Sequence, residues 1–544
     1  MPRENVRQLI PVGLRGVGVR LGIVAGFAAG AIALYSQTIG SYFVCDDFEE
    51  LLGSITDGPR STTAIHPGRN FRPINQWLHA IAEGWFGTRP LGHHLLSLGL
   101  HVVISLTVIV LGAELTRRFE VAARSRAVIS VGGGALFLVH PSHTEAVSWI
   151  SARSDLLMTL GLVTGLICWL RSGPDGSPRR WWWVAASCAC GAFALASKEP
   201  AVTLPLVASS VEVALTFGSA RPTPRRVARA AARPWPLYAL LVAYVAARQM
   251  TLGTLKSDSW TDEFVGDSVI ELGARWIVTI ARAFVPGMSI TGWAVTLVLV
   301  VAVAISVRNA TANRRSMLVG PAALLAAVAI SVGPLARLGT SWRDTGGERF
   351  TYFPSALAAI VIAWLVVIVV KPHRRGVAIS MCVVVASLLL VPSQIGWAQA
   401  AEISRGQVAS EGAMLRDRPV LVLNLLDNVN GAFVARNAFG SDLRWIHHWQ
   451  ELPPAWGAST YETPIAANHV TARRGPRHGS WIVTLMDPGA RFLGLAAPGG
   501  SGEAPGVTVR SIDERQIEVT VGEDAPPGLT VWLGDGDRYR KLTR

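Results

Sequence analysis

Charge is scarce in this chain. Only 16% of its 544 residues are Asp, Glu, Lys or Arg, while 50% are hydrophobic. A soluble protein of this size splits into several domains, each needing a charged surface that this composition does not supply. Cysteine is scarce as well. Of the five present, Cys168, Cys188, Cys190 and Cys382 fall inside apolar runs, where a thiol behaves as a small hydrophobe. No Cys/His spacing suits a metal, and no cysteine follows residue 397, which excludes a zinc module and a disulfide-stapled tail. Internal repeats are missing too, so no array of helical repeats is expected.

What the chain has instead is a recurrence of apolar runs over its first ~400 residues, at the length of bilayer-spanning helices. We read them at 17–39, 91–111, 127–139, 154–170, 181–196, 201–217, 235–250, 290–307, 317–335, 355–370 and 376–396. That makes about eleven transmembrane helices in a polytopic α-helical membrane protein. The run at 271–285 carries Arg275 and Arg282 and is read as an interfacial helix.

The net charge of +13 does not mark a nucleic-acid binder. Its arginines fill alternate short connections: Arg117, Arg118, Arg124 and Arg126, then Arg171, Arg179 and Arg180, then Arg221 to Arg233. Later clusters hold Arg308, Arg314, Arg315, Lys371, Arg374 and Arg375, and the start holds Arg3, Arg7, Arg15 and Arg20. This is the positive-inside pattern of a multi-pass cell-membrane protein, and it predicts a cytoplasmic N-terminus. The triplet Trp181-Trp182-Trp183 reads as an interfacial aromatic belt on that side.

Three units follow: a membrane domain at 1–396, a helical connector at 397–416 and a β-rich extracytoplasmic domain at 417–544. In the last, short partly alternating runs at 420–426, 432–439, 481–486, 507–512, 517–521 and 529–533 are separated by Gly, Pro, Asp and Asn.

Every polar cluster that suggests chemistry falls on the expected outer side. The first apolar run is followed by Asp46-Asp47, a costly pair where a membrane helix meets water. The same loop carries His66 to Pro73, including Arg72, and then His93, His94 and His101. The next holds His140 to Asp155, with His143, Glu145 and Arg153. Others supply Lys198-Glu199 and Glu348-Arg349. Such a set suits group transfer from a lipid-linked phosphate. A carboxylate takes the proton of an acceptor hydroxyl, and a like-charged neighbour makes it a better base. Arg and Lys hold the phosphate.

The motifs Asp-Asp, Phe-Arg-Pro, Gly-His-His-Leu-Leu, His-Pro-x-His-Thr-Glu-Ala-Val, Ala-Arg-Ser-Asp-Leu-Leu, Ser-Lys-Glu and Glu-Arg-Phe-x-Tyr-x-Pro-Ser occur in this order between Val44 and Ser355. Together they resemble the GT-C superfamily of membrane glycosyltransferases, above all the transmembrane O-mannosyltransferases that target cadherins and their bacterial relatives. The resemblance implies an inverting transferase that uses a polyprenyl-phosphate sugar, mannose first, and an extracytoplasmic protein or glycan acceptor. It implies that the catalytic acid of the first outer loop is Asp46 or Asp47, and that no metal or cofactor takes part. Arg349, Lys198 and Arg153 become phosphate candidates, and Arg72, His143, Glu145, Glu199 and Glu348 substrate-binding candidates. The animal family carries tetratricopeptide repeats where this chain has its β-rich tail.

Plainer readings compete. His140, His143 and Glu145 also fit a helix start. Arg153 with Asp155, and Lys198 with Glu199, fit local ion pairs, and Arg72 fits a headgroup anchor. At the level of function the rivals are a transporter or flippase, which should carry ionisable residues at mid-membrane, and a non-catalytic envelope scaffold, which has no use for the acidic pair. Among transferases, aminoarabinose or arabinofuranosyl transfer to an envelope glycolipid competes with mannose.

Overall fold

Apolar runs become helices here because lipid offers no water to satisfy backbone groups. The computed structural model describes residues 16–56, 71–173, 180–219, 223–253, 268–285, 316–336, 338, 340, 345–416, 419–435, 441–446, 454–462, 470–496 and 504–542. Each expected span within them is helical. The expected span at 290–307 and the stretch 66–70 lie outside the described residues.

Six of the described helical segments are long and apolar enough to cross a bilayer: Val17–Leu34, Pro90–Arg118, Ile150–Arg171, Glu199–Phe217, Glu348–Val369 and Pro372–Met414. Trp181–Leu195 and Val319–Leu335 are apolar but shorter. The amphipathic helix Val269–Arg282 has 14 residues and a Ser268/Glu271 capping box. At about 1.5 Å per residue it is too short to span, in keeping with the interfacial reading.

The helices pack through small residues. A Cβ on Gly161 would lie 2.8 Å from the Ala194 Cβ and 2.9 Å from the Cys190 carbonyl, so only glycine lets these two helices approach. Buried Leu, Val, Ile and Ala from the apolar helices form a single core that includes the fully buried Trp169 and Trp364.

The first loop holds more structure than its sequence reading assigned. Helices Asp47–Thr56 and Pro73–Phe86 lie within it. Asp47, Glu49 and Glu50 sit in the first turn of one, where the macrodipole favours them, and Pro73 opens the other.

At the far end of the chain, the last span and the expected connector form one 40-residue helix, Arg375–Met414. Its second half buries Trp397, Ala400, Ala401, Ser404, Val408, Glu411 and Met414, a three-to-four spacing that seats one face.

The β domain has two sheets. In the larger, the order is Arg538–Leu542, Thr530–Asp535, Val420–Val429, Ala455–Glu462, Arg491–Ala496, with Ala432–Phe433 folded back on Val420–Val429. Val420–Val429 runs parallel to both neighbours and is buried along its whole length, as parallel strands are. Its side chains alternate. Leu421 and Leu423 face Trp481, Val483, Ile517 and Val519 of the second, antiparallel sheet. Val420, Val422 and Leu425 face Met414 and Leu415 of the long helix. Strands Ala455–Glu462, Val470–Arg474, Arg491–Ala496 and Arg538–Leu542 were not expected from sequence, and the expected strand at 432–439 is formed only at Ala432–Phe433 among the described residues.

Candidate functional site

The acidic pair divides into two unlike carboxylates. Asp47 opens its helix and is buried, 1% exposed. Its Oδ2 accepts the Val44 amide at 3.1 Å, and its Oδ1 accepts both the amide and the hydroxyl of Ser151 at 2.8 Å. Burial pushes its carboxyl up to about 7, opposed by those three donors and by the Arg153 charge. Asp46 is only half-buried, and its Oδ1 accepts the Cys45 thiol at 3.2 Å.

The turn that leads into the pair is strained. Cys45 has φ of 51°, the left-handed region, which costs a non-glycine residue about 1–3 kcal/mol. Its amide is held by the Val434 carbonyl of the β domain at 2.9 Å.

The His140–Asp155 block folds as a 3₁₀ turn, a short helix Thr144–Ser148, a second 3₁₀ turn and then helix Arg153–Arg171. His140 caps this start: its Nδ1 accepts the Ser142 amide at 3.3 Å and its Nε2–H donates to the Ala283 carbonyl at 3.1 Å. His143 donates through Nε2–H to Ser355 Oγ at 2.7 Å, because that hydroxyl is itself spent on the Tyr352 carbonyl. Burial holds His143 well below its usual pKa, hence neutral.

Glu145 is fully buried, and its two oxygens take the amide and the guanidinium of Arg349. Burial raises its pKa and Arg349 opposes the rise. The Arg349 side chain keeps 18% exposure. Its guanidinium carbon lies 4.5 Å from the Phe350 ring centre, 4.7 Å from Trp149 and 5.8 Å from Phe433. That is an aromatic wall of the kind that favours a cation.

The remaining predicted cations are paired as well. Lys198 Nζ meets Asp155 Oδ2 at 2.5 Å and lies 5.6 Å from the Phe350 ring centre. Burial brings Lys198 down to about 8, with Asp155 pulling it up and Arg72 and Arg349 pushing it down. Lys198 and Arg349 share the Phe350 ring. Arg72 grips Glu199 with two nitrogens, at 3.1 and 2.8 Å, and Arg248 reaches Glu199 at 3.5 Å. Glu348 pairs with Arg282 at 2.5 Å.

Arg153 is fully buried and turned inward. It donates to Ser97 Oγ at 3.1 Å, the His93 carbonyl at 2.8 Å and His79 Nδ1 at 3.5 Å. Thus Asp46 is half-buried and Arg349 keeps partial exposure against the buried Glu145, while Lys198, Asp47 and Arg153 are buried, the last two tied by hydrogen bonds to Ser151 and to Ser97 and His93. Among the described residues no group of three His, Cys, Asp or Glu side chains is placed to hold a metal.

Two contributors were not singled out from sequence. Ser151 locks Asp47, and Phe433 closes on Arg349 from the β domain. Ser151 stands two residues before Arg153 inside the motif block, so its neighbourhood was a usable signal. For Phe433 the sequence offers none.

No protein-family model matches the chain. It is similar to protein O-mannosyl-transferases of Caenorhabditis elegans (29% identical over 151 residues, 25% of this chain and 21% of that one) and Drosophila melanogaster (30% over 211 residues, 36% and 23%). The likeness to one from Mus musculus is 25% over 198 residues, 34% of this chain and 23% of that one. The chain thus spans less than a quarter of the length of these curated relatives. Among solved structures, ArnT from Cupriavidus metallidurans bound to undecaprenyl phosphate gives a TM-score of 0.44 at 12% identity, over 93% of this chain and 99% of that one. An Archaeoglobus fulgidus oligosaccharyltransferase gives 0.42 at 13%, over 71% and 57%.

Proposed function

We propose that this chain is an inverting membrane glycosyltransferase that moves a sugar from a polyprenyl phosphate to a hydroxyl of an extracytoplasmic acceptor. The observation that carries the reading is a half-buried carboxylate, Asp46, at the same end of the helical bundle as a partly exposed cation, Arg349, and a buried one, Lys198.

In this reading Asp46 is the base. It takes the proton of the acceptor hydroxyl as that oxygen attacks the anomeric carbon. The bond from that carbon to the phosphate oxygen breaks, and the polyprenyl phosphate leaves with the electron pair. Arg349 and Lys198 meet the charge that develops on it. The aromatic rings beside Arg349 keep its guanidinium in place while it exchanges Glu145 for phosphate. Asp47 and Arg153 hold the loop, His143 and Glu145 shape the pocket, and Arg72, Glu199 and Glu348 line its rim through their ion pairs.

Mannose is the sugar favoured by the similarity to protein O-mannosyl-transferases, and a Ser or Thr hydroxyl of an exported protein is the acceptor favoured by the same names. The site faces outward and the N-terminus inward on the arginine pattern, in a multi-pass cell-membrane protein. The three-unit division at 396 and 416 stands as a functional proposal, with chemistry in the first unit.

The test uses protein in nanodiscs, radiolabelled polyprenyl-phosphate mannose and an envelope extract. Wild type transfers label to a protein or glycan product, and Asp46→Asn abolishes it. Absence of transfer from mannose, glucose and arabinose donors by folded wild type would overturn the reading in favour of a transporter or scaffold.

A further inference from the structure

The β domain is not merely tethered beside the helical bundle. Its hairpin, strand Val420–Val429 turning through Asn430 and Gly431 into Ala432–Phe433, inserts among two segments that carry site residues and the long helix. Val44 and Cys45 from the acidic loop, Trp149 and Ala152 from the His140–Asp155 block, and Trp397 of the long helix share one buried cluster with Val429, Phe433 and Val434.

The contacts are specific. The Val434 carbonyl accepts the Cys45 amide at 2.9 Å and so holds the left-handed residue just before Asp46. The Phe433 ring lies 4.9 Å from Trp149, and the Arg349 guanidinium carbon is 5.8 Å from the same Phe433 ring. At the tip, Gly431 has φ of 87°, and a Cβ there would come within 2.5 Å of the Gly346 nitrogen. The tip therefore presses on the loop that leads into Glu348-Arg349, and the Thr345 amide donates to the Asn430 carbonyl at 3.4 Å.

We infer that Phe433 is a positioning residue of the donor site: its hairpin forms the wall that fixes Arg349 and the Cys45–Asp46 turn relative to one another. This rests on the transferase reading above and goes beyond it, because it makes the β domain part of the donor chemistry. The cation–aromatic contact orients the guanidinium toward incoming phosphate, and the Val434 carbonyl stabilises a backbone conformation that Cys45 would otherwise leave. A shift at the hairpin thus reaches the base and the phosphate cation together.

The test compares Phe433→Ala, Phe433→Leu and Phe433→Tyr with wild type in nanodiscs. Phe433→Leu keeps the apolar contact with Trp149 and Trp397 and removes the ring, which covers the case of an alanine variant that does not fold. The expected result is a donor KM raised about tenfold in Phe433→Leu, the loss of one desolvated cation–π contact, with Phe433→Tyr close to wild type. In an Arg349→Lys background the Phe433→Leu loss should shrink, because both changes act on one contact. Full additivity, or an unchanged KM, overturns the inference.

A second arm needs no donor. Amide exchange of residues 43–47 and 345–350 should quicken together in Phe433→Leu, and unchanged exchange in both segments overturns the inference. Quickened exchange in a protein that turns over no sugar donor would keep the wall and sink the transferase reading.

Discussion

The two ends of this helical bundle solve the same electrostatic problem differently. At the end away from the acidic pair, Glu114 is shared by Arg117 and Arg171, at 2.9 and 2.8 Å. Glu212 is shared by Arg233 at 2.5 Å and Arg118 at 3.7 Å, and also accepts the Trp169 indole N–H at 3.1 Å. Both carboxylates are almost fully buried and tie helix ends together. At the site end the pairs are Glu145–Arg349, Asp155–Lys198, Glu199–Arg72 and Glu348–Arg282, joined by Asp46 with a thiol beside its carboxylate. Pairing of buried charge is therefore no signature of function, since both ends have it. The site end differs in its acid: Asp46 is half-buried where Glu114 and Glu212 are buried. Exposure of the cations does not separate the ends, since Arg117 and Arg171 are at least as exposed as Arg349.

That contrast breaks first at the acidic pair. Asp46→Asn should lower transfer by about 10³-fold, within the range for a lost general base, and leave the melting transition near that of wild type. Asp47→Asn should act the other way round. It puts an amide against the three donors from Val44 and Ser151 and should destabilise the fold by about 1–3 kcal/mol. Rate per folded molecule, measured beside thermal melting, separates the two. Loss of rate in Asp47→Asn with an unchanged melt, together with an active Asp46→Asn, would exchange their roles.

The next break compares two arginines. Arg349→Ala should raise the donor KM by about 10²-fold, the loss of a charge-assisted contact of roughly 3 kcal/mol, in addition to the stability lost when the buried Glu145 keeps only the amide of residue 349. Arg233→Ala should lower stability by about 3–5 kcal/mol, because it leaves Glu212 buried against a weaker partner, with activity per folded molecule retained. Donor titrations on folded protein of each variant check this. A donor-specific defect in Arg233→Ala would erase the distinction between the two ends.

These contrasts were only partly legible in the sequence. The apolar runs gave up the spans because a bilayer demands length and little else, and Asp46-Asp47 stood out because acids are costly at a membrane boundary. The division of labour within that pair was not readable, because it depends on Ser151, a hundred residues away, closing on one carboxylate. Arg153 and Arg349 lie in equally suggestive motifs, and only tertiary contact turns one inward to Ser97 and the other to the Trp149, Phe350 and Phe433 rings. In the tail, the first part of the strand Val420–Val429 was visible at 420–426 as a run that is apolar except for Asn424. Ala455–Glu462 was not, since Gly457, Ala458 and Ser459 carry little apolar signal and owe their strand to the parallel pairing beside them. Arg538–Leu542 is a polar strand at the sheet edge, held by its ladder to Thr530–Asp535.

The smallest break is a matter of pH and tests whether Lys198 belongs with Arg349 or with the far-end pairs. Burial lowers Lys198 to about 8, and Asp155 recovers only part of the fall. Below that pH the ammonium is charged and can share its partner with a phosphate; above it the amine is neutral and cannot. Donor affinity should therefore decline as pH rises through about 8, by at most tenfold per unit, whereas an arginine stays charged throughout. Lys198→Arg should move the alkaline decline upward, even if its larger head lowers the plateau. The donor KM of both proteins, followed from neutral to alkaline pH, gives the comparison. A wild-type KM flat through pH 8 would return Lys198 and Asp155 to the class of Glu114 and Arg171, a pair that holds helices and touches no substrate.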